Sequence, residues 1–541
     1  MGEEGGGRSC GTTRDLQKLK QQAMEYYREN DVPRRLEELL NSTFYLQPAD
    51  VYGHLANCFS KLAKPPTICK VVGKNVLDGL GLPTLQVEIF CTIQNFPKNI
   101  CSVVISTHFE VHENALPELV EAEELERSDA VSTAVRWVNE TITEELQGLA
   151  PSNQAEVDQV LRTFFESKVQ EDKERKELEK SLEDSTVPTP SPLTPPPPPP
   201  PPAKKKGQKQ GRKDTLTEKP IVPPEPVEPT LCGSMAIGAV SLAVAKTSAV
   251  LGNNPLYLNI ALLKHHQDQP AKLTIPLLMV SLVSCGKASP GKLNLMKEVI
   301  CIPHPGLTAK QGVDMLLEIQ KHINKTIEMS KGKYEVMMGT YKNAAEMVDL
   351  YVELINKFPS IIALIDPFRK EDSEQWDSTY NALGSKCYII AGTASKSISK
   401  LLEDGNIGIL RCSGLIVKHT NQTTMSDLVE MTNLIDSKKH ITVFGSAEGE
   451  SSDDSLVDLA VGLGVRFIKL GGLSRGERVT KYNRLFTIEE ELVQNGTLGF
   501  SEEHTFFYLN EEAEKAAMAG ELPEPPKPIF ATEVVEQSAK T

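Results

Sequence analysis

Two lysines and a handful of carboxylates stand where this chain could use them. Lys418, in GLIVKHTNQ, and Lys469, in FIKLGG, each close a short apolar run, so each would sit at the end of a strand. A lysine there is commonly a solvated terminus. Two that converged on one mouth would lower each other's pKa and favour a neutral amine able to take a proton. Glu298, in LNLMKEVICIP, opens another such run, and Asp366 follows one in Ile365-Asp366-Pro367. With Glu448, Glu450 and Asp453, Asp366 could gather a cation, or all four could simply be solvated. Ten cysteines stand singly, with no CxxC pair and no nearby CxxH spacing, and read as reduced thiols.

The elements that would position these residues are legible as seven apolar runs between Gly233 and about Glu491: IPLLMVSLV, EVICIP, IIALIDP, CYIIAG, GLIVKH, ITVFGS and RFIKLGG. Separated by helical stretches, they have the βα rhythm of a barrel or a wound sheet. Ahead of them, Ile68 to Phe90 alternates as strands broken by a turn, and Glu123 to Glu145 has helical spacing, which together predict a small α+β domain. Between the two lies a charged run, EDKERKELEKSLED, then eight prolines from Pro195 to Pro202, then KKKGQKQGRK. That composition predicts a disordered linker, with too little apolar surface to offset chain entropy. The octaproline could dock an aromatic groove or act as a spacer, and the basic cluster could be an anionic-surface patch or solvated linker. Asp15 to Asn30 predicts a helix, and two short amphipathic helices follow around Gln47-Pro48. The expected organisation is a helical segment over 1–65, the α+β domain over 66–170, the linker over 171–230, the barrel over 231–495 and a tail over 496–541.

Length and charge narrow the function. At 541 residues and 59.5 kDa the chain needs several domains. A net charge of −15 makes nucleic acid a poor partner, and no apolar run approaches the ~20 residues of a membrane span. The first residues, MGEEGGGRSC, lack the basic start and apolar stretch of a signal peptide, so the expected compartment is the cytoplasm.

Two resemblances add to this reading. Residues 31 to 60, with Leu39-Leu40, Gln47-Pro48-Ala49-Asp50 and an apolar helix after them, resemble the dimerisation and docking module of the cAMP-dependent kinase regulatory subunit. That implies a two-chain helical bundle that accepts a partner's amphipathic helix and tethers the protein, for instance to a cytoskeletal structure. The alternative is an ordinary helical hairpin. The second resemblance covers residues 66 to 165 and 231 to 495 and is to the enolase family. It rests on Val76-Leu77-Asp78 through Gly81-Leu82-Pro83-Thr84, on Val87-Glu88-Ile89-Phe90, on GSMAIGAVSLAVAKTSAV and PLYLNIALL, and above all on LVDLAVGLGVRFIKLGG followed by SRGERVTKYNRLFTIEEEL.

The enolase resemblance implies a TIM-type barrel beside an N-terminal α+β domain, and a lyase (phosphopyruvate hydratase) that dehydrates 2-phosphoglycerate to phosphoenolpyruvate in glycolysis. It implies Mg²⁺ as cofactor and a homodimer, or a heterodimer with other enolases. It places Lys418 as the proton acceptor and Lys469 and Glu298 on the substrate. The lysine base with Mg²⁺ is a general pattern of that superfamily.

Against the family's pattern several parts are changed. Ile365 stands where a carboxylate ligand is expected, beside Asp366, and Gly392 stands where a second is expected. The run Ile327 to Lys331 leads directly into KYEVMMG, so the loop and strand that would carry the third ligand are missing, and the barrel is expected to be one strand short unless Tyr334 to Met338 fills the space. Ser446, Ala447 and Glu448 replace a His-Arg-Ser triplet that holds phosphate, and neither SLVSCGKASPGK nor VVISTHFEVHEN matches the family's mobile loops. These losses imply a catalytically weak or inactive pseudoenzyme that serves as a scaffold, as the alternative to a working lyase.

Overall fold

A computed structural model describes residues 9–105, 117–185, 231–266, 268, 270–284, 297–330, 343–392, 401–402, 410–445 and 451–500. The chain divides into two compact units. The first, residues 1–67 with the hairpin tip 92–98, holds helices α1 (Ser9–Glu29), α2 (Val32–Leu46) and α3 (Val51–Leu62). Asp31 and Gln47, at φ 55° and 44°, bracket α2, with Pro33 tolerated in its first turn. The Asp50 carboxylate accepts the Gly53 N–H at 2.8 Å and caps α3. Both short helices fall around Gln47-Pro48 as expected. They bury almost nothing: α3 has no buried residue and α2 only Thr43, so Leu36, Leu40 and Phe44, spaced four apart on α2, are exposed.

The second unit opens with the body of a three-stranded sheet in the order β1-β2-β3, whose strands span Thr67–Leu77, Pro83–Ile93 and Phe96–Val104, all but residue 67 and the tip 92–98. Helix α4 (Pro117–Trp137) runs through a π turn at Val138–Ile142 into α5 (Thr143–Leu146). In that turn the Asn139 side chain pairs with both backbone groups of Gly73, at 2.9 and 3.0 Å. Helix α6 (Gln154–Ser185) continues fifteen residues past the point where the linker was expected to begin. The charged run that reads as linker consists of strong helix formers whose spacing lets them pair: Lys168–Glu171, Lys176–Asp172 and Arg175–Glu179 lie three or four residues apart. The rest of the expected linker, residues 186–230, lies outside the described residues.

The remaining elements are α7 (Met235–Leu251), α8 (Leu256–Lys264), β4 (Leu277–Ser284), β5 (Glu298–Cys301), α9 (Ala309–Ser330), α10 (Ala344–Lys357), β6 (Ala363–Ile365), α11 (Ser373–Leu383), β7 (Tyr388–Ala391), β8 (Gly414–Lys418), α12 (Met425–Ser437), β9 (Ile441–Gly445), α13 (Ser455–Gly462), β10 (Phe467–Gly471) and α14 (Gly476–Gln494). All seven apolar runs are strands. They form one sheet in the order β5-β4-β10-β9-β8-β7-β6, parallel throughout except for β4 with β5. Among the described residues the sheet has seven strands, and β5 and β6 are its edges, as the missing strand predicts; Tyr334 to Met338 lie outside the described residues.

The sheet is curled around its own core. Tyr388 and Phe467 stand on strands three places apart, yet their rings meet edge-to-face at 6.3 Å. Ile300 at one edge and Ile365 at the other pack on the same cluster of Met279, Tyr388, Ile390, Ile441, Val443 and Phe467. Each such side chain contributes about 1.5–3 kcal/mol by leaving water. This is the barrel-type fold with an N-terminal α+β domain and extra helices. Residues 496 to 499, expected to begin a tail, pair back on the barrel instead, with Gly499 N–H donating to Leu273 O at 2.8 Å. No single described helix is long and apolar enough to cross a membrane.

Candidate functional site

Strand alternation carries the inward face upward from the core to one level at the strand ends. Below it lie Ile416 on β8, Val443 on β9 and Phe467 on β10, all in or against the core cluster. Two residues on, Lys418 pairs in register with Gly445, and Gly445 with Lys469. The two predicted lysines therefore share a level, with a glycine between them. A Cβ at Gly445 would lie 3.7 Å from Lys418 Cγ and 3.8 Å from Cε, so the stem of Lys418 runs across the space that glycine leaves.

Lys469 Nζ lies 2.8 Å from Glu298 Oε2, both half-buried. The antiparallel turn of β5 brings Glu298 to the same end as the C-termini of the parallel strands. Ser281 on β4 donates its hydroxyl to the other Glu298 oxygen. Burial pushes the Glu298 carboxyl up, but the charge and hydrogen bond of Lys469 with the Ser281 hydroxyl outweigh it, so its pKa falls below the usual value. Ser281 escaped the sequence reading, although it continues the inward series Leu277, Met279, Ser281.

The loop after Lys418 is braced from two sides. Gly238 of α7 donates its N–H to Asn421 O at 2.9 Å, and a Cβ there would meet the carbonyls of Thr420, Asn421 and Thr423 at 2.9–3.0 Å. Asp158 of α6 is buried. One of its oxygens accepts from Ser241 Oγ (2.6 Å) and Gln154 Nε2 (2.9 Å), the other from Ser426 N (2.9 Å) and Ser426 Oγ (2.6 Å). Ser241 Oγ in turn accepts the Met425 N–H at 2.9 Å. The first turn of α12 is thus capped from the small domain as well as by its own Thr424–Asp427 capping box. His419, next to Lys418, is buried with Nε2 3.1 Å from Thr423 O, and burial lowers its pKa to about 4.

On the other side of the mouth the described residues lack the chemistry a metal needs. Ile365 ends β6 with an alkyl group packed on the core, and Gly392 has no side chain. Asp366 turns back at φ 46°, and its Oδ1 accepts the Gly392 N–H at 2.8 Å. Asp453 does not join it: its Oδ1 accepts Ser455 N–H at 2.8 Å, and its Oδ2 accepts Val104 N–H at 3.2 Å with Lys246 Nζ 3.7 Å away. Among the described residues no three His, Cys, Asp or Glu side chains gather as a cation site. A hard divalent cation wants six or more oxygens, so this donor set does not fit Mg²⁺. Ser446, Ala447, Glu448 and Glu450 lie outside the described residues, as do most of the stretches 281–292 and 103–114, which do not match the family's mobile loops.

Comparison with known proteins agrees with this barrel. The family model for the enolase C-terminal TIM barrel domain matches residues 326–505. Enolase 4 of Homo sapiens is 74% identical, with 100% of this chain and 99% of that protein covered. The chain belongs to the enolase family. Enolase 4 of Mus musculus is 64% identical over the whole of both chains, and cytosolic enolase 3 of Arabidopsis thaliana 24% identical over 86% of this chain and 96% of its own. Enolases generally use Mg²⁺, which sharpens the contrast with the donor set here. The alignment with the human relative spans 620 positions against 541 residues, so at least 79 positions have no counterpart in this enolase chain.

Proposed function

We propose that the barrel mouth addresses the enolase reaction, dehydration of 2-phosphoglycerate to phosphoenolpyruvate in glycolysis, and that this chain performs it weakly. Lys418 is the proton acceptor, and Lys469 with Glu298 positions the substrate. The observation that carries the reading is the shared level of Lys418 and Lys469 on either side of Gly445, with Glu298 paired to Lys469. Proton removal beside a carboxylate creates an enolate whose charge must be met at once. The described residues offer it ammonium groups, one already engaged by Glu298, and no cation site, which is the physical ground for slow turnover. The test is phosphoenolpyruvate formation by the purified chain, followed by absorbance, beside Lys418→Ala. Slow formation that drops by about 10²–10⁴-fold in the variant is expected. No formation above a protein-free control, or no difference between the two proteins, sinks the lyase reading.

A second reading has its own observation: the exposed apolar stripe Leu36, Leu40 and Phe44 on α2, with Phe59 and Leu62 exposed on α3. It supports a cytoplasmic scaffold that dimerises, with itself or with other enolases, and is tethered by an amphipathic helix on its N-terminal helices. Sedimentation over a range of concentrations tests it, and a chain that stays monomeric and recruits no added enolase excludes it.

A further inference from the structure

We propose that Cys232 is a modification site: hydrogen peroxide converts its thiol to a sulfenic acid, and a small cavity beside the loop that follows Lys418 receives the new oxygen. The inference stands apart from both readings of function, since it needs neither turnover at Lys418 nor a partner on the N-terminal helices.

Access singles out this thiol. Of the eight cysteines whose side chains are described, only Cys232 is exposed. Burial pushes the thiols of Cys91 and Cys387 up to about 12 and that of Cys412 up to about 11, and it raises those of Cys101 and Cys301 as well. The thiolate is the form that attacks peroxide, so those five compete poorly. The next residue sets Cys232 in place. Gly233 turns at φ 92°, a conformation that suits glycine, and a Cβ there would stand 2.9 Å from Thr133 Cγ2 and 3.1 Å from Trp137 Cε3 of α4. The close turn lets Cys232 Sγ donate to Thr133 Oγ1 at 3.4 Å.

Cys232 shares a cavity of about 50 Å³ with Glu126 and Ala130 of α4, the start of α7 and Asn421. That is room for a few water-sized groups. Its polar wall is incomplete. Asn421 is 5% exposed, and its Oδ1 accepts no hydrogen bond. Ser234 caps α7 without a side-chain hydrogen bond to it. The N–H groups of Ala236, Ile237 and Gly238 find Gly233 O, Ser234 O and Asn421 O, whereas that of Met235 finds no acceptor among the described residues. Buried polar groups without partners are costly. A sulfenic hydroxyl supplies both missing partners, a donor for Asn421 and an acceptor at the helix start, where an oxygen lone pair is favoured.

The step balances with peroxide alone. The thiolate attacks one peroxide oxygen, the S–O bond forms as the O–O bond breaks, and the leaving hydroxide takes up the proton the thiol gave up and departs as water. Sulfur is oxidised and peroxide reduced by the same electron pair. The effect reaches the barrel mouth, because Asn421 lies in the loop after Lys418 and its carbonyl accepts the Gly238 N–H at 2.9 Å.

The experiment treats the reduced full chain with equimolar hydrogen peroxide, with and without dimedone, which adds to sulfenic sulfur. Peptide mass mapping locates the adduct in the dimedone sample. In the other, catalase removes the peroxide and thermal unfolding is compared for the parent, Cys232→Ala and Asn421→Ala. Dimedone should mark Cys232 ahead of every other cysteine, Cys10 and Cys285 included. Peroxide should raise the Tm of the parent by about 1–3 °C and leave both variants unmoved. Earlier labelling at another cysteine overturns the proposal. So does labelling at Cys232 with no rise in Tm, because the oxygen then faces solvent and the cavity holds water only, and so does a rise that Asn421→Ala retains. Should a variant fail to fold, the labelling map of the parent and its own Tm with and without peroxide still decide.

Discussion

The two sides of the barrel mouth have been treated differently. On the lysine side, β8, β9 and β10 run five residues each in unbroken parallel register, and the loop that follows Lys418 is held by α6 and α7. On the carboxylate side, β6 has three residues, and its end is held by one aspartate and one glycine amide. Lysines stand at the strand ends of the braced side, and an alkyl group and a glycine stand at those of the other. The contrast teaches that side chains at the ends of barrel strands are positioned by the packing behind them, so the two halves of one mouth can be held by different means.

If the lysine side is the one under tension, acid should reveal it first. The folded pKa of His419, about 4, lies below the ordinary value of 6.5, so the unfolded chain takes up the proton first as pH falls. Stability should be complete above pH 6.5 and should fall by a few kcal/mol towards pH 4, partly relieved by the Asp453 charge. Denaturant melts of parent and His419→Gln over that range check this; a variant with the same acid limb as the parent removes His419 from the account.

A smaller effect is expected from the brace. Asp158→Ala leaves the Ser426 N–H and the hydroxyls of Ser241 and Ser426 without their buried acceptor, at about 1–3 kcal/mol. Hydrogen exchange should then quicken in the first turn of α12 and in residues 419–424, and not around Asp366. Equal quickening on both sides would erase the distinction drawn between them.

The smallest effect compares the two glycines beside β8. Gly445→Ala places a methyl 3.1 Å from Ile416 Cγ2 and against the stem of Lys418, whereas Gly392→Ala places one 2.9 Å from the Asp366 carboxylate. Both should cost about 1 kcal/mol in chemical denaturation. Only Gly445→Ala should alter the rate at which an amine reagent labels Lys418, and equal labelling in both variants would mean that the stem does not depend on that space.

The strands of this barrel were legible because each is a short run of branched apolar residues bounded by turn residues, and Lys418, Lys469 and Glu298 were found because they close or open such runs. The first fifteen residues of the expected linker are helical instead. The stretch after Glu171 looks like a solvated tether by composition, and its helix depends on ion pairs three and four residues apart. Asp158 was invisible for a different reason. Its partners Ser241 and Ser426 are 83 and 268 residues away, and nothing local marks a carboxylate that caps a helix in another domain. The return of Asp366 onto β7 was hidden likewise, since a left-handed aspartate before proline leaves no periodic trace.

Among the described residues the seven-stranded sheet has two margins, and open margins invite other chains. Here the margins are β5 and β6, four and three residues long. A visiting strand gains ladder bonds only over the length it can match, so these stubs offer little hold and no repeating template. The brevity of its borders thus guards this sheet against recruiting copies of itself into fibres, a protection that in a closed barrel comes from having no border at all.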